Sequence, residues 1–157
     1  SIIAVFAGLT FWYPKMFGRV LDEFWGKVHF AGTYLGFLAV FVPMHLVGVG
    51  GMVRRVADHT KYDLFIPLQP WNEWMTVAAI VLFLFQFVFA VNFIRSLYWG
   101  REAGENPWGG TTLEWTTPSP PPHGNWPGAI PEVHNAPYEY GVPGIDGEWV
   151  SQDQPAP

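Results

Sequence analysis

Two long stretches of this chain carry almost no polar positions. Residues 28–49 (VHFAGTYLGFLAVFVPMHLVGV) run for 22 positions without a carboxylate, lysine or arginine. At 1.5 Å per residue that is roughly 33 Å of helix, enough to cross a hydrocarbon core of about 30 Å. Residues 74–99 form the second stretch, and its one charge, Arg95, sits near the end, where the long stem can carry the guanidinium to the headgroups. Trp71 and Trp74 at one end and Tyr98 and Trp99 at the other give the aromatic pattern of a bilayer interface. Both stretches are predicted to span a membrane.

The opening run, SIIAVFAGLTFWY, is equally apolar but meets Pro14 after 13 residues, roughly 20 Å of helix. It lacks the basic leading region and small-residue cleavage site of a signal peptide. Its length would also suit a buried or re-entrant helix. The favoured expectation is the second half of a spanning helix, reaching residue 17. Ser1 is then an internal position of a longer polypeptide or the start of one piece of a split subunit. The expected fold is an all-α membrane protein with about three transmembrane helices (1–17, 28–49 and 74–99), the first truncated at its start.

From residue 102 the pattern ends. Eleven of the 15 prolines fall here, with no apolar periodicity, so PSPPPHGNWPGAIP can form no span and little regular structure. Arg101 is the last basic residue and eight carboxylates follow it, which excludes nucleic acid as a partner of this segment. Residues 102–157 are either a disordered tail or an extended strap across neighbouring subunits. Trp108, Trp115, Trp126 and Trp149 favour the strap, because disordered segments are poor in aromatics. There is no cysteine, so thiolate metal sites, disulfides and a cysteine nucleophile are excluded. Lys15, Arg19, Lys27, Arg95 and Arg101 flank one membrane face, against Arg54, Arg55 and Lys61 on the other. Five against three puts the first loop and the tail in the cytoplasm.

The sharpest chemical feature is Arg54-Arg55, after the second span in GVGGMVRRVADH. Guanidinium is permanently charged and binds carboxylates and phosphates through paired hydrogen bonds. The pair is therefore either a lipid-phosphate contact or a clamp for a ligand's anionic groups. Gly48, Gly50 and Gly51 let the backbone leave the helix sharply just before it. His29 and His45 are 16 residues apart and cannot ligate one metal from a single helix. His29 reads as a satisfied interface histidine. His45, just after Pro43, reads as a hydrogen-bonding partner of a neighbouring helix or a propionate. Thr33, Gln86 and Asn92 are neutral polar groups at depth, whose default role is bonding between helices. No catalytic triad, carboxylate pair or phosphate loop is present.

Four segments, in order, resemble the end of subunit I of the haem–copper respiratory oxidases: FWYPKMFGRVLDEFWGKVHF, FVPMHLVGVGGMVRR, PWNEW and NPWGGTTLEWTTPSPPPHGNW. The resemblance covers about residues 4–126. It implies that the three spans are the last three helices of a twelve-helix catalytic subunit. That subunit passes electrons from cytochrome c, or a quinol, to oxygen, giving water and pumping protons. It implies that Arg54 and Arg55 hydrogen-bond haem propionates on the outer side, and His45, by the residue reading above, is expected to stand behind that contact. Haem, of the a type, and copper belong to the complete subunit. Their histidine ligands lie earlier, those of the haems about two turns before Ser1, so the resemblance places no metal ligand here and implies no activity for the isolated chain. The implied partners are the remainder of subunit I, subunits II and III, the electron donor and the lipid of an inner (plasma) membrane. Val53 replaces the proline usual before the arginine pair. The loop 56–70 is longer than is typical, and Phe65, Ile66 and Leu68 in it would be exposed unless an electron donor or another subunit covered them. The competing readings are a non-catalytic accessory subunit of a respiratory complex and a small transporter or lipid-binding protein.

Overall fold

The computed structural model describes residues 2–53, 55–144 and 147–155. Its regular structure is helical: α1 (Ile2–Phe17), α2 (Glu23–Val49) and α3 (Gln69–Trp99), with short 3₁₀ turns at His59–Lys61, Asp63–Leu68 and Leu113–Trp115. The chain divides into two compact units, Glu23–Ile94 and Ser1–Asp22 with Arg95–Pro157.

In the first of these, α2 and α3 are long and apolar enough to cross a membrane. Each starts five residues before the expected run. Glu23 favours the positive helix start and pairs with Lys27 one turn on, at 2.7 Å. In α3, Pro70 sits in the first turn, where its missing N–H costs nothing. The two helices run antiparallel, and α2 turns His29, Thr33, Gly36, Val40, Pro43 and Val47 inward. That 4-3-4-3-4 spacing is the seam of a left-handed helix pair. Gly32 and Gly36 bring α3 close. A Cβ on Gly32 would overlap the Phe85 ring, and one on Gly36 would lie 3.0 Å from Leu82 Cβ. In lipid, where apolar burial does not drive helices together, such close approach is what makes dispersion contacts count.

Polar groups at depth are paired along this seam. Gln86 Nε2 donates to Thr33 Oγ1 at 3.2 Å and to Leu82 O at 2.9 Å, and its Oε1 lies 3.3 Å from His29 Nε2. His29 is buried against the Phe89 ring. Pro43 deprives the Ala39 carbonyl of its helical amide, and Trp74 Nε1 on α3 donates to that carbonyl at 3.1 Å.

In the second unit α1 continues three residues past Pro14 and stops at Gly18, whose φ of 65° and amide bond to Pro14 O (2.8 Å) form a left-handed cap. A side chain at Gly18 would meet Pro120 Cδ at 2.8 Å, so the same glycine admits the tail. The tail has little regular structure, as expected, yet it folds onto its own chain. Trp115 is buried, stacked on Trp12 at 5.6 Å and edge-on to Phe11 at 5.1 Å. Trp108 Nε1 donates to Phe11 O at 2.9 Å. Lys15 is buried as well. Its Nζ donates to Thr117 O (2.6 Å) and Glu105 O (3.0 Å) and lies 5.2 Å from the Trp115 ring. The chain end closes the tail: Gln152 N donates to Thr111 O, Gln152 Oε1 accepts from Leu113 N, and Val150 is fully buried.

Candidate functional site

The arginine loop begins where α2 stops. Gly51 has φ 91°, its amide donates to Gly48 O at 3.1 Å, and the Met52 amide donates to Val47 O at 3.2 Å. These two bonds and the left-handed glycine are a Schellman turn, which satisfies the last carbonyls and turns the chain off the helix axis. Of the three glycines before the pair, Gly51 is therefore the one that makes the exit. Gly50 instead makes room for the loop, since a Cβ there would press on Leu68 at 3.0 Å. On α3, Asn72 Nδ2 reaches Met52 Sδ at 3.5 Å and Gln69 Oε1 at 3.3 Å, so the loop base is tied to both helices.

Arg55 is exposed and has φ 64°, a conformation that costs a non-glycine residue about 1 kcal/mol or more. Among the described residues no carboxylate pairs with its guanidinium. Arg54 lies outside the described residues. Beyond the pair, the Asp58 carboxylate accepts from the Thr60 hydroxyl (2.5 Å) and amide (3.0 Å), which holds it below the usual carboxylate range and starts the turn at His59.

His45 is exposed on α2, and its Nδ1 bonds Phe41 O of its own helix at 2.7 Å. A carbonyl only accepts, so the proton is on Nδ1, and in the neutral ring Nε2 is an acceptor. His45 thus bonds a carbonyl of its own helix through Nδ1. Arg95 is half exposed and lies 3.6 Å from Asp22, so its charge is partly met within the chain.

The expected exposure of the long loop is corrected in part. Phe65 is buried, packed on Tyr62 (5.4 Å) and His59 (6.1 Å), because the 3₁₀ turn at Asp63–Leu68 rolls it inward. Leu68 is half-buried against Gly50, and Leu64 and Ile66 are the apolar residues left outside.

Two elements escaped sequence reasoning. By composition Lys15 is only a cytoplasmic charge, though a lysine beside a proline at the end of an apolar helix is a visible oddity. Trp74 fits the pattern of an interface anchor, and nothing local says that its N–H serves the carbonyl opened by Pro43.

The family profile described as cytochrome c and quinol oxidase polypeptide I matches residues 1–84. The alternative cytochrome c oxidase subunit 1 of Bradyrhizobium diazoefficiens is 42% identical over 159 residues, covering 99% of this chain and 27% of that protein. Cytochrome c oxidase subunit 1 of Thermostichus vulcanus is 46% identical over 142 residues, covering 90% of this chain and 25% of that protein. The corresponding protein of Synechocystis is 40% identical over 142 residues, with the same two coverages of 90% and 25%. The chain spans about a quarter of the length of the curated relatives it matches.

Proposed function

Because the chain belongs to the cytochrome c and quinol oxidase polypeptide I family, we propose that it is part of the catalytic subunit of a haem–copper terminal oxidase that passes electrons from cytochrome c to oxygen, giving water and moving protons. Relatives named as cytochrome c oxidases favour cytochrome c over a quinol as donor.

The observation that carries the site reading is the Arg55 guanidinium, held off the end of α2 by a Schellman turn, exposed and without a carboxylate partner among the described residues. A guanidinium is all donor and a propionate all acceptor, so the two match, and a bidentate pair is the strong form of that bond. Arg55 and, by the sequence pattern, Arg54 would hold haem propionates on the outer side of the membrane. Haem, of the a type, and copper would supply the redox chemistry in the complete subunit, on ligands outside this chain. The strain at Arg55 is the kind of local cost that functional loops carry.

The rest of the chain is scaffold. The α2–α3 seam fixes the loop base, and the α1–tail clamp centred on Lys15 and Trp115 holds the segment that would lie on the cytoplasmic face of an inner (plasma) membrane, over subunits II and III or the remainder of subunit I. The cation count of the two faces supports that orientation.

The test is a redox titration of the whole oxidase with Arg55→Ala. A positive charge beside the haem favours the reduced state, so its loss should lower the low-spin haem midpoint and slow turnover. An unchanged midpoint and turnover would refute the assignment.

A further inference from the structure

The tail uses its tryptophans unequally. Trp115 is buried under Lys15, Trp108 donates to Phe11 O, and Trp126 Nε1 donates to Thr116 Oγ1 at 3.1 Å. Trp149 does none of this. Its ring is 54% exposed, and among the described residues its indole N–H has no acceptor.

Trp149 is nevertheless placed by two backbone hydrogen bonds. The Gly141 amide donates to Glu148 O and the Val150 amide to Glu139 O, both at 3.1 Å. These bonds make Tyr140 and Trp149 a non-hydrogen-bonded antiparallel pair, the kind whose side chains approach most closely. The rings are 5.4 Å apart and stand on the face opposite Val150, which is fully buried. Tyr140 is 65% exposed and Tyr138 nearby is 67% exposed. The pair is therefore fixed from behind and open in front. Glu148, beside Trp149 in the chain, is exposed, and the tail carries eight carboxylates with no lysine or arginine after Arg101.

An exposed Tyr–Trp pair on a tail with eight carboxylates and no lysine or arginine complements a cationic partner. Such rings attract a guanidinium or ammonium over their faces, and the acidic charge of the tail favours the same groups. Tyr and Trp are also the residues that most often anchor protein interfaces, because they offer much area at little entropy. Anionic lipid would be repelled by the same carboxylates. We infer that the Tyr140–Trp149 face is a docking surface for a lysine- or arginine-bearing segment of a neighbouring polypeptide in the membrane complex. The inference deepens the strap reading of the tail and rests on it.

The test uses the complete complex, with a photoreactive benzoylphenylalanine in place of Tyr140, and in a parallel sample in place of Ile130, which is 76% exposed. Crosslinking from the Tyr140 position to a basic segment of another polypeptide is the expected result. Trp149→Ala should weaken retention of that polypeptide about fivefold, the equivalent of one cation–π contact, and Trp149→Phe should restore most of it. Glu148→Lys should make its retention much less sensitive to salt. Crosslinks to another polypeptide from the Ile130 position alone would leave the strap standing and overturn this docking face. No crosslink to another polypeptide from either position would overturn both. Crosslinks from the Tyr140 position to lipid or to a segment without lysine or arginine also overturn it.

Discussion

Replacing Trp74 by phenylalanine removes one N–H from the α2–α3 seam and keeps most of the ring. In the native helix Pro43 offers no amide to Ala39 O, and the indole N–H fills that place from the facing helix at 3.1 Å. A hydrogen bond is worth about 1 kcal/mol net, and a carbonyl left without a donor away from water costs roughly 1–3 kcal/mol. Interhelical bonds in membrane proteins average about 0.6 kcal/mol, and Trp74 is about half exposed in this chain, so the low end applies. The expected cost of Trp74→Phe is about 1 kcal/mol. The decisive measurement is a double-mutant cycle with Pro43→Ala. Alanine at 43 restores the helix's own donor to Ala39 O, so in that background Trp74→Phe should cost only the difference in ring size. The assay is heat inactivation of the whole enzyme, since such complexes unfold irreversibly and a rate is the proper measure. About 1 kcal/mol corresponds to roughly a fivefold shorter half-time. If Trp74→Phe shortens the half-time equally with Pro43 and with Ala at that position, a coupling below about 0.3 kcal/mol, the indole N–H is not standing in for the lost amide.

Gly32→Ala should destabilise by about 1–3 kcal/mol, because the added methyl overlaps the Phe85 ring, whereas Gly26→Ala on the same helix meets nothing and should be neutral or slightly stabilising. Equal heat-inactivation rates for the two variants would contradict the close-packed seam. Lys15→Met should release the tail by roughly 3 kcal/mol through loss of two charge-assisted hydrogen bonds, seen as faster protease cleavage within residues 102–127. Unchanged cleavage there would show that the clamp does not hold the tail.

Features that depend on local composition were legible along the chain. Runs of about 22 and 26 apolar residues can only be helices in lipid, since no water is there to satisfy their backbone groups, so α2 and α3 followed from length alone. The proline-rich tail was legible as irregular for the opposite reason, a shortage of donors and of free φ. The arginine pair stood out because two permanent charges beside an apolar span have to be met by something. Five residues at the start of each long helix were missed, because a criterion of apolarity stops at charges that a helix end welcomes.

Choices among equivalent residues were settled by packing. Six glycines lie from Gly26 to Gly51, and nothing local separates Gly51, which takes the left-handed turn, from Gly32 and Gly36, which admit α3. Phe65 and Ile66 are neighbours of like polarity, yet one is buried and the other exposed. Lys15 carries a charge that composition puts in water, and the fold puts it between two tail carbonyls and an indole. The partners that fix Gly32, Gly36 and Lys15 lie about 45 to 100 positions away, and pairing at that range is a property of packing, which no window along the chain contains.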